Sequence, residues 1–181
     1  EGYKEGRPKK YTTKQLNQQM TNLQIVTGKS SDSVKNLVKG YSSLAKELGS
    51  TTSEISASAN EWLRMGYNTK QVNTLITNSM MLSKLGMIET AKATEYLTSA
   101  IKGYNVSVEE SSEIIDMATA LDMKYAVSSG YILEAMSRTA ASAKLAKVEM
   151  SDLQSMIAVA GEVTQKDASV IGESFKTAFA R

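Results

Sequence analysis

The sequence predicts an all-α fold, a compact array of roughly eight or nine short helices joined by Gly-terminated, capped turns. Three observations carry that prediction. Apolar residues recur at three- and four-residue spacing, and no stretch alternates with period two. Glycines close the apolar-periodic stretches and polar cap residues open the next ones. The composition suits helices: aromatics are only 6% of 181 residues, there are 10 Met, and the one Pro is Pro8. Ala and Met then fill the core, and past residue 8 no missing amide breaks a helix.

Residues 1–11 hold Lys4, Arg7, Lys9 and Lys10 among Gly2, Gly6 and Pro8. This is a basic, extended entry segment. It reads as a solvated tail or linker, with DNA contact through its cations as the alternative. Residues 12–50 form the N-terminal helices, expected over 13–27 and 32–48. Residues 51–181 form a helical core domain, with helices expected over 53–65, 69–85, 89–102, 108–124, 128–145, 152–164 and 168–181. Gly28, Gly49, Gly66, Gly86 and Gly103 are expected just past helix ends, in the left-handed conformation that terminates a helix. Thr51 with Glu54, Asn68 with Gln71, Ser107 with Glu110 and Ser151 with Gln154 have capping-box spacing. Ala93, Leu97, Ala100, Ile101 and Tyr104 share one helical face, as do Ile114, Ala118, Leu121 and Tyr125.

The tripeptide Gly-Tyr-Asn occurs twice, at 66–68 and 103–105. In the first copy Gly66 closes a helix, Tyr67 packs back on Trp62, and Asn68 caps the next helix. Tyr67 also sits at the position that pairs with Val72 in a hydrophobic staple. In the second copy Tyr104 faces Ser99, Asn105 falls in the loop, and the cap passes to Ser107. Both read as helix junctions, against a binding element built on the repeat. Alternate glycine stops, two helices apart, lie 37 or 38 residues apart, a spacing found in helix-pair repeats. Side chains do not superpose at 37 residues: Trp62 falls on Ser99 and Met65 on Lys102. A helical hairpin array stays open.

Composition removes several functions. The chain has no Cys and no His, so it has no disulfide, no thiolate nucleophile, no His-based triad and none of the usual zinc ligands. Net charge of +2 gives no bulk argument for nucleic acid. Glu109, Glu110, Glu113 and Asp116 cluster, and the helix dipole explains acids in a first turn. Asp116, beside Ile114 and Ile115, is the candidate buried polar residue, able to bond a neighbouring helix end. No phosphate-binding glycine loop occurs, and neither a catalytic residue nor a cofactor is expected. Met80, Met81 and Met87 read as core; exposed, they would suit an adaptable helix-binding surface. Gly161 and Gly172, with Ala158, Ala160 and Ala168, permit close helix approach, read as packing within the chain over self-association. No apolar run is long enough to span a bilayer. The chain begins without Met and ends within the amphipathic "ESFKTAFAR", so it reads as a fragment whose last helix continues.

The order of segments resembles a known family. "ANEWLRMGYNTKQ" is followed by "KLGMIETA", "AIKGYNVSVEES", "IIDMATA", "AVSSGYILEAMSRTAASAK" and "EMSDLQSMIAVAGEV". This succession, over roughly residues 55–178, is similar to the core region of phage tail tape measure proteins from phages and prophages of Gram-positive bacteria. Where that family often has Gly before the "MSDLQ" helix, this chain has Lys147 in "LAKVEM", which leaves the turn there open. The resemblance implies a structural protein of the virion tail, made in the host cytoplasm. It would fill the tube lumen, set tail length during assembly and leave with the DNA at ejection. Implied partners are further tape measure copies, the tail tube protein, tail-tip or baseplate proteins and tail assembly chaperones. A ruler calls for long uninterrupted helices at about 1.5 Å per residue, and this stretch stops far too often. It is therefore expected as a compact domain at or near one end of the ruler, or one that unfolds into an extended form inside the tube. The competing reading is a helical-repeat adaptor that binds peptides or helices, unrelated to tails.

Overall fold

A computed structural model describes residues 13–181, and the basic segment 1–11 lies outside the described residues. Those residues form nine α-helices and no strand. In order they are α1 (Thr13–Thr27), α2 (Ser31–Leu48), α3 (Thr52–Arg64), α4 (Thr69–Leu85), α5 (Thr90–Tyr104), α6 (Ser111–Asp122), α7 (Ser129–Leu145), α8 (Met150–Thr164) and α9 (Ala168–Phe179). Two compact units divide between Tyr67 and Asn68. The sequence drew its boundary at residue 50, but α3 packs on both α1 and α2 and so closes the first unit.

The first unit is a three-helix bundle in which each helix touches the other two. Its buried apolar residues are the ones that recur on one face of each helix: Leu23 on α1, Val34, Val38, Tyr41 and Ala45 on α2, and Ile55, Ala59 and Trp62 on α3. Removing such side chains from water is the main favourable contribution to its stability. Asn60 of α3 donates to Gln19 of α1, from Nδ2 to Oε1 at 2.9 Å and to the backbone O at 3.4 Å.

The second unit is built around α7, which packs on α4, α5, α6, α8 and α9. Cross-helix contacts fix the directions. Gly103 of α5 lies against Ala140, and the next residue, Tyr104, donates through its Oη to Val148 O just past α7. Gly172 of α9 lies against Ala135, and Glu173 pairs with Arg138. So α5, α7 and α9 run parallel. The other three helices end where α7 begins. Gly86 meets Gly130, Asp122 Oδ2 accepts from Ser129 N–H, and Glu162 Oε1 accepts from Ala126 N–H. Helices α4, α6 and α8 therefore form one layer and α5, α7 and α9 the other, as three successive helix hairpins.

The second layer carries a repeat that the glycine spacing hid. Its helices open at Thr90, Ser129 and Ala168, each 39 residues after the last. In that register Glu95, Glu134 and Glu173 coincide, as do the buried Ala93, Ile132 and Ile171. An offset of 37 misses this alignment by two residues, which on a helix turns each side chain by about 200°.

Candidate functional site

The sequence placed its candidate residues at helix ends. Gly66 has φ +92, and Tyr67 N–H reaches Trp62 O at 3.3 Å while Gly66 N–H reaches Leu63 O at 3.0 Å. These two bonds make a Schellman turn. The Tyr67 ring meets Trp62 edge-on, centroids 5.8 Å apart. Asn68 accepts from Gln71 N–H and Gln71 Oε1 accepts from Asn68 N–H, each at 3.0 Å. Thr51 and Glu54 form the same reciprocal box at α3.

Four other candidates sit differently. Gly86 has φ −81, and Gly103 lies inside α5. The left-handed residues at these two ends are Met87 (φ 51) and Asn105 (φ 56). Close contact, not backbone hand, explains the two glycines. A Cβ on Gly86 would stand 2.9 Å from Gly130 Cα, and one on Gly103 would stand 2.5 Å from Ala140 Cβ. Ser107 and Glu110 do exchange hydrogen bonds, but they close a turn and α6 begins only at Ser111. Ser151 is exposed inside the first turn of α8, whose N-cap is Glu149 with no side-chain bond. Lys147, at the place where the resembled family has Gly, has φ 59 and completes a Schellman turn through Val148 N–H to Ala143 O at 2.9 Å.

Asp116 is exposed, so it is not the buried polar group. That role belongs to Gln154, which the sequence offered as a capping partner, and to Asn78 and Ser111. Gln154 is fully buried, and its Nε2 donates to Ile114 O on α6 at 3.1 Å and lies 3.6 Å from Met136 Sδ on α7. Asn78 Nδ2 donates to the buried Ser111 Oγ at 2.8 Å, tying α4 to α6. Asp122 and Ser128 together satisfy the first amides of α7. Gln154 and Asn78 were findable, because each sits at an apolar phase of its helix. Asp122 gave no local signal, since it caps a helix that starts seven residues later.

Met80 is buried, whereas Met81 and Met87 are exposed, so the expected methionine core reduces to one residue. Gly161 and Gly172 face Tyr131 and Ala135, both within the chain. Burial pushes the Tyr41 and Tyr104 phenols up to about 12. Burial also raises Tyr131, whose Oη donates to Lys166 O at 2.5 Å. Among the described residues no three acidic side chains converge to hold a metal ion, and no helix is long and apolar enough to cross a membrane.

No solved structure matches this fold. The family model for phage-related minor tail proteins matches residues 42–181, from within α2 to the end of the chain. That span includes every packing glycine and every polar tie of the second unit. The chain accordingly belongs to the phage-related minor tail protein family, with a structural role in the virion tail.

Proposed function

We propose that this chain is part of a tail tape measure protein, serving as a compact assembly domain and not as the measuring rod. The observation that supports it most is the interruption of every helix. The longest, α2, has 18 residues, about 27 Å at 1.5 Å per residue. Schellman turns close α2, α3, α4 and α7, and Asp122 and Ser128 bond the start of α7, so extension would break tertiary contacts as well as turns. Such a domain would seat the end of a ruler on tail-tip or tube proteins and nucleate tube growth. Copies would act together in the tail, with DNA contact through the basic segment. Departure of the chain at DNA ejection belongs to the same reading.

The test is a phage lacking codons for residues 13–181. DNA-filled heads without tails, with tube protein left unpolymerised, are expected in electron micrographs. Normal tails from that mutant would remove the proposal. The hairpin stack with its 39-residue register favours one addition: the second unit also has the form of a docking module, used within the tail.

A further inference from the structure

We infer that α9 is an interior helix of a longer stack, and that its free side seats a fourth helix hairpin supplied by the same polypeptide past Arg181. This rests on the reading of the chain as part of a larger tail protein. Positions 39 residues apart are equivalent in the stack. Tyr96, Ala135 and Ser174 form one column, Leu97, Met136 and Phe175 a second, and Ala100, Thr139 and Ala178 a third. On α5 and α7 all of these residues are buried. On α9, Ser174 and Ala178 are exposed and Phe175 is half-buried. The same positions serve as core twice and lie open the third time.

On α7 these positions are covered by the hairpin that comes next. Helix α8 brings Gln154 onto Met136 and lays Gly161 against Tyr131. Helix α9 sets Gly172 on the Ala135 backbone. The contact between α5 and α7 has the same register. Gly103 meets Ala140 as Ala135 meets Gly172, each residue against one 37 positions further on. One geometric step therefore generates both interfaces, and such neighbour-to-neighbour packing propagates along a stack. Applied to α9, the step puts a first helix over Phe175 and a second, parallel helix over Ser174 and Ala178.

The free side has room for it. A groove of about 560 Å³ opens along α9, lined by Ser169, Val170, Glu173, Ser174 and Thr177. Glu173 is engaged by Arg138 and Lys176, and the other side chains are short enough for a close helix approach. A terminal repeat of a stack presents a polar outer face, which the open Val170 and Phe175 do not provide. Chain direction selects the source. Helices α5, α7 and α9 are parallel, and the connections 105–110 and 146–149 lead from the ends of the first two into α6 and α8. A similar short connection after α9 brings the next helix down beside α8. A second copy fits less well, because the Gly172 face that matches this surface is covered by α7 in each chain.

Hydrogen exchange of the α9 amides is compared between the 181-residue chain and the whole tail protein, with α2 of the first unit as reference. Exchange in α9 is expected to be at least about tenfold slower in the whole protein, with α2 unchanged. Ser174→Arg and Ala178→Arg alter exposed sites, so each should leave the urea midpoint of the 181-residue chain where it is. In the whole protein either change should abolish the added protection of α9. Equal exchange of α9 in the two proteins, or protection that survives both changes, would overturn the inference. A dimer of the 181-residue chain abolished by either change would overturn it in favour of a second copy. Tails lost on deleting residues 13–181, with α9 still open in the whole protein, would sink this inference and leave the proposed function standing.

Discussion

Lys147 shows how a single residue works against its own backbone. It holds a left-handed φ of 59 so that Val148 can close the turn after α7. A side chain in that region costs about 1 kcal/mol relative to glycine. Lys147→Gly should therefore raise stability by about 1 kcal/mol in urea melts, and an unchanged or lowered midpoint would mean the turn is not strained. Tyr41 and Tyr104 act through protons. Folded, burial keeps both phenols protonated up to about pH 12; unfolded, they ionise near pH 10. Between those values the unfolded chain binds fewer protons, so the stability these groups contribute is complete below pH 10 and falls as pH rises towards about 12. A urea midpoint that drops from pH 9 to pH 11 is expected, with a smaller drop in Tyr41→Phe. An equal drop in the variant would assign the loss to other groups.

Helix pairs in the second unit meet through missing side chains. Gly103 faces Ala140, and Gly172 faces the Ala135 backbone. Inside a helix, replacing Gly by Ala should help by roughly 1 kcal/mol on propensity alone. Gly103→Ala is nevertheless expected to destabilise, by about 1–3 kcal/mol net, because its new methyl overlaps that of Ala140. Adding Ala140→Gly should recover most of the loss, as the methyl is only moved across the interface. Two additive losses would place the cost elsewhere. The sequence announced the helices well, since apolar period, glycine and cap all act within one or two turns. It misread Gly86 and Gly103 because a glycine required by a neighbouring helix looks the same as one required by a turn. Ser151 misled for a related reason. The box spacing to Gln154 is present, but burial of Gln154 between α6 and α7 takes away the partner the cap needs.

At the scale of the whole chain, the second unit is a stack of three hairpins in which α5, α7 and α9 repeat every 39 residues. Its order was legible from helix ends, while its register was not, because the repeat lies in helix starts and in the Glu95, Glu134, Glu173 column. The family follows from the chain as a whole, and so does the division of labour proposed for it. Losing the α6–α7 hairpin removes the helix on which α4, α5, α8 and α9 all pack, so the unit would not simply become shorter. An α-helical rod would, at about 1.5 Å per residue. The most direct measurement is tail length, by electron microscopy, in a phage carrying an in-frame deletion of residues 111–149, which removes α6 and α7. Lost tails, or rare tails of unchanged length, are the expected result. Viable tails uniformly shorter by about 60 Å would contradict it and make this region part of the ruler.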